Sequence, residues 1–143
     1  MGGAIRRTLR RAAVAALVAA LGGCAALNAP VTWQPGNLSP LIIGWQQYFR
    51  IQWAARPATG GTLIDGYITN IWGFTAQRVR VLVTGYDAAG KQVGQLIAWG
   101  PNEITPGSRV YFDVQVPSGS ASYDVSIFSW NWVQMGMNVE NFP

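Results

Sequence analysis

Histidine is absent from this chain of 143 residues, and cysteine occurs once, at Cys24. Those two counts exclude an internal disulfide, a cysteine-histidine zinc site and a histidine-based catalytic triad. Charge is scarce too, at 11% of residues, while 50% are hydrophobic and 12% aromatic. A disordered chain has the reverse balance, so a packed core is expected. No acidic residue precedes Asp65, whereas Arg6, Arg7, Arg10 and Arg11 crowd the start. Beyond Cys24 the basic residues are Arg50, Arg56, Arg78, Arg80, Lys91 and Arg109. The acidic residues Asp65, Asp87, Glu103, Asp113, Asp124 and Glu140 match them in number. The formal net charge of +4 therefore belongs to the first dozen residues, and the rest is neutral. A neutral body lacks the basic footprint that nucleic acid requires, so no nucleic-acid partner is expected.

What is present at the start is an address. The arginines are followed by an apolar run, Ala12–Leu21. A bilayer core needs about 20 apolar residues, so this run is too short to span it and suits a secretory signal. Next comes Leu21-Gly22-Gly23-Cys24. These residues resemble the lipobox of bacterial lipoproteins, in which the cysteine is lipidated and becomes the first residue. The resemblance implies a signal peptide over 1–23, a lipid on Cys24 and the membrane as a partner. Ala25 follows the cysteine, where an aspartate would signal retention, which implies the outer membrane with the domain in the periplasm. Residues 25–40 contain Pro30, Pro35 and Pro40 and no charge. With Cys24 they are expected to be a tether that reaches roughly 50 Å when extended. Docking of Trp33 or Leu38 on the domain is the open alternative.

From Trp45 the pattern is strand-like. Phe49, Ile51 and Trp53 alternate with Arg50 and Gln52. Ile64, Gly66 and Ile68 alternate with Asp65, Tyr67 and Thr69. Val79, Val81 and Val83 oppose Arg78, Arg80, Leu82 and Thr84. Val110, Phe112, Val114 and Val116 form a fourth apolar stripe. Six candidates in all, including 91–100 and 122–133, are separated by Gly, Pro, Asn and Ser clusters. Short strands at such spacing predict an all-β fold: an immunoglobulin-like antiparallel β-sandwich of about seven strands over 41–143.

Gly85, four residues on to Gly90, then Lys91, falls one residue short of a phosphate-binding loop. Gln92 stands where that loop needs Ser or Thr, and the residues after it alternate like a strand rather than starting a helix. Asp87 and Gly90 predict a hairpin turn instead, and no nucleotide is expected to bind.

The same turn carries a second resemblance. Gly66 and Asn70, the strand ending in Tyr86-Asp87, Gly90, Pro106-Gly107 and Phe112 are similar to the FxLYD-type domain of bacterial envelope proteins. Val83 and Gly85 depart from it, standing where the name implies Phe and Leu. The resemblance implies an immunoglobulin-like sandwich and no catalytic residues.

The six acids are scattered, with Asp65, Asp113 and Asp124 on outward strand positions. No paired carboxylates are in view, and no enzyme, cofactor or metal is expected. Tryptophan is the outlier, with seven in the chain. Trp53 is expected in the core. Alternation in the last long strand sets Tyr123, Val125 and Ile127 on one face. It sets Phe128, Trp130 and Trp132 on the other, as a candidate binding face. Burial of this row under Trp45 or the tether competes with that role. The expected function is a non-catalytic binding or structural domain that serves an envelope protein partner. A carbohydrate- or peptidoglycan-binding module using the aromatic row is the alternative.

Overall fold

The computed structural model describes residues 31–134 and 137–139. Cys24 and the expected signal segment lie outside the described residues. Among the described residues eight strands follow one another: β1 (Phe49–Ala58), β2 (Gly61–Asn70), β3 (Thr75–Tyr86), β4 (Gln92–Trp99), β5 (Glu103–Ile104), β6 (Arg109–Val116), β7 (Ser122–Gln134) and β8 (Met137–Val139). They form two antiparallel sheets. One has the order β1-β2-β6; the other has the order β4-β3-β7-β8, with β5 paired to β3. A constant-type immunoglobulin sandwich sets its first, second, fourth and fifth strands in one sheet and its third, sixth and seventh in the other. Here the fourth strand, β4, pairs with β3 in the second sheet instead, and the two sheets form the expected antiparallel sandwich.

Alternation explains the core. Ile64, Ile68, Phe112, Val114 and Val116 of the first sheet meet Val79, Val81, Val83, Val125 and Ile127 of the second, all buried in one cluster. Tyr86 ends β3, and residues 87–91 form the hairpin that the sequence predicts. The Asp87 carboxylate accepts from the Ala89 and Lys91 amides at 2.9 and 2.8 Å, and Gly90 takes φ 79°. The segment from Gly85 to Lys91 thus joins two antiparallel strands rather than a strand to a helix.

At the opposite end of the sandwich, fully buried Asn70 ties three segments together. Its Nδ2 donates to the carbonyls of Phe74 and Ile104, both at 2.8 Å, and its Oδ1 accepts from the Trp72 amide at 2.9 Å. One expected core residue is displaced. Trp53 points to the inner side of β1 but remains 36% exposed, because β1 is an edge strand whose second half extends beyond the cover of the facing sheet.

Candidate functional site

The expected aromatic face on the last long strand does not exist as a row. Strand β7 pairs Val81 with Ile127 but Arg80 with Ser129, which leaves Phe128 as an extra residue in a β-bulge. A bulge inverts the alternation of everything beyond it. Trp130 and Trp132 therefore turn to the same side as Ile127, into the core. Trp130 is 6% exposed and packs edge-on against Phe49 at 5.0 Å, while Trp132 stacks on Phe49 at 5.7 Å. Strand β3 compensates with its own irregularity at Arg78, whose φ of 52° is rare for a residue with a side chain. Phe128 alone faces outward, and it too is buried, with the Arg80 guanidinium 5.2 Å from its ring centre.

The N-terminal segment explains why an outward residue is buried. Residues 31–40, expected as tether, are laid on the domain as a strap. Trp33 enters the sandwich beside the hairpin end. A Cβ at Gly85 would lie 2.7 Å from its ring, and a Cβ at Gly94 would lie 2.5 Å from its own Cβ, so these two glycines make its seat. Gln34 then pairs with the backbone of Gln95 at the edge of β4. Farther on, the buried Gln95 side chain accepts from the Leu38 amide at 2.7 Å and donates to its carbonyl at 2.9 Å. The Leu41 amide finally donates to the Phe128 carbonyl at 2.9 Å. The strap thus crosses the outer face of the β4-β3-β7 sheet, and Leu82, Thr84, Gln95, Ser126 and Phe128 are buried on that face.

Among the described residues, none covers the outer face of the other sheet in this way. Tyr67 and Tyr111 sit side by side on β2 and β6, half-exposed, with ring centres 5.7 Å apart and planes at 73°. Arg109 lies over the Tyr67 ring at 4.1 Å. Next to them Asp65, an outward strand residue, is only 6% exposed. Arg56 grips it with two hydrogen bonds, Nε to Oδ1 at 3.0 Å and Nη2 to Oδ2, and the Tyr111 hydroxyl donates to it at 3.1 Å. The Arg56 bonds hold the Asp65 carboxyl below its ordinary pKa, against the opposing effect of burial. Burial first, then the bond to Asp65, pushes the Tyr111 phenol up. This is an anchored ion pair rather than a reactive carboxylate. Among the described residues, no three acidic or sulfur-bearing side chains come together as metal ligands would.

A second exposed surface lies at the end away from the hairpin. Ile71, Trp72 and Phe74, in the β2–β3 connection, stand partly in water. The Ile71 amide donates to the Tyr48 carbonyl, and Trp72 packs edge-on against the Tyr48 ring at 5.0 Å. The segment leading to Tyr48 carries Leu41 and Ile43, and Ile43 is 95% exposed. Alternation could not find this group, because none of it lies within a strand. Its signal was composition: connections are normally polar, yet "NIWGF" (70–74) and "LII" (41–43) are apolar. No family model, no curated protein and no solved structure matches this chain.

Proposed function

We propose that this protein is a lipoprotein anchored in the outer membrane through Cys24, and that its sandwich is a non-catalytic domain that docks on an envelope protein. The observation that carries the docking role is the apolar end. A monomer rarely leaves Ile71, Trp72 and Phe74 together in one connection partly in water, with Ile43 fully exposed in the segment leading to Tyr48, without use. Tryptophan and phenylalanine anchors of this kind are typical of protein interfaces. A glycan is the weaker occupant. Sugars stack on open ring faces, whereas leucine and isoleucine offer none. On the tyrosine face, Arg109 already covers Tyr67, and the two rings share no plane.

A photo-crosslinking residue placed at Ile43 in cells, with Cys24 intact, tests this. A discrete adduct with an envelope protein is expected, and Trp72→Ala should abolish it without releasing the chain from membranes. Adducts only with lipid or glycan, or none, would sink the docking role. Cys24→Ser should remove lipid labelling and membrane association; a variant that keeps both would sink the anchor.

A further inference from the structure

We propose that the strap determines which end of the sandwich faces the membrane. This rests on lipid attachment at Cys24. Strand β1 begins at Phe49, beside Tyr48 and Trp72, so the chain enters its first strand at the apolar end. Without the strap, an anchor preceding β1 would leave from that end and draw Ile43 and Trp72 towards lipid. The strap runs the other way. It carries the chain back across the β4-β3-β7 sheet to Trp33, which is seated at Gly85 and Gly94 beside the hairpin. The leash therefore leaves from the hairpin end.

Chain lengths decide which orientations the leash permits. From Cys24 to Trp33 are nine residue steps, which span at most about 32 Å fully extended. From Gly85 back to Thr75 along β3 are ten steps, about 33 Å, and the Ile71–Phe74 connection lies beyond. To place the apolar end against lipid with the sandwich inverted, the leash would have to be drawn to its full extension or beyond, which its conformational entropy opposes. An undocked tether running to Leu41 has seventeen steps, about 61 Å at most, and starts near the apolar end, so it forbids nothing. The docked strap holds the hairpin and the neighbouring 117–121 turn towards the membrane. It presents the apolar end outward, to a protein partner rather than to the lipid surface. The membrane-facing turn suits its place, since Ala88, Ala89 and Gly90 are small and Asp87 and Lys91 balance in charge.

The full lipidated chain in vesicles tests this. Because Cys24 is the sole cysteine and is blocked by lipid, a second cysteine gives one labelling site. Ala89→Cys marks the hairpin, and Thr105→Cys marks the exposed loop beside Asn70 at the other end. Energy transfer to an acceptor on the lipid headgroups should be severalfold stronger from position 89 than from 105. A twenty-residue Gly-Ser insertion between 30 and 31 lengthens the leash without touching the fold. It should bring the two signals together, as should Trp33→Ala with Gln95→Ala, which releases the strap. Equal transfer from both sites in the otherwise unaltered chain, or a difference that survives the insertion, would overturn the orientation while leaving the anchor standing. A chain that carries no lipid on Cys24 and does not bind vesicles would overturn the anchor itself, and the orientation with it.

Discussion

The two sheets bury their inner faces in the same manner, but their outer faces are finished differently. On β4-β3-β7 the outer face is roofed by the strap, so that Leu82 and Phe128 are core residues in all but position. On β1-β2-β6 it is open, and polar chemistry finishes it: the Arg56–Asp65–Tyr111 cluster and Arg109 over Tyr67. A sheet face can meet its surroundings through added chain or through side chains that satisfy one another. The first couples the face to the N-terminal segment, and hence to whatever that segment is attached to. The second leaves the face independent.

The difference can be broken most severely on the aromatic core that adjoins the roofed sheet. Trp130→Ala should cost about 3–5 kcal/mol by urea denaturation, as for other buried tryptophans. A loss below about 1 kcal/mol would return Trp130 to the surface. Trp33→Ala should cost less, about 2 kcal/mol, because its pocket is only half enclosed and the strap can slacken. It should also make Phe128 and Leu82 accessible, which faster exchange of the β7 amides would report.

Gln95→Ala removes both bonds to Leu38 and one to Thr84, and about 1–3 kcal/mol should be lost. The stability loss from deleting residues 31–38 should shrink in this variant, since the strap is already loosened. Full additivity of the two would show that Gln95 is not what holds the strap.

On the open sheet the effects are smaller and depend on pH. The Asp65 carboxyl titrates below its unfolded value, so its contribution is present above about pH 4 and is lost as pH falls through the folded pKa. Stability should decline over that acid range, and Asp65→Asn should flatten the decline. Smallest of all, Tyr67→Ala should change the melting temperature little, because its ring is half in water already. A collapse of the fold in that variant would make the open face as structural as the roofed one.

Most of the strand content was legible, because a half-buried strand writes its burial into alternate residues. The six long strands, the hairpin at Asp87–Lys91 and the inward stripes of β2, β3 and β6 follow that rule. The candidate aromatic face failed where the rule breaks. A single bulged residue, Phe128, inverts the alternation, and its cause lies in pairing with β3 rather than in the residues of β7. Asp65 was legible as outward but not as buried, since its cover comes from Arg56 and from Tyr111 on neighbouring strands.

By itself, then, the sequence determined the six long strands, the hairpin at Asp87–Lys91 and the inner faces of β2, β3 and β6. These depend on the order of polar and apolar residues within a few positions of one another. Only the tertiary structure decided that Trp130 and Trp132 are core, that 31–40 is roof rather than tether, and which end of the sandwich the N-terminal segment leaves from. Each of those depends on contacts between residues far apart in the chain, such as Trp33 with Gly85 or Leu41 with Phe128, and no local pattern encodes a partner that distant.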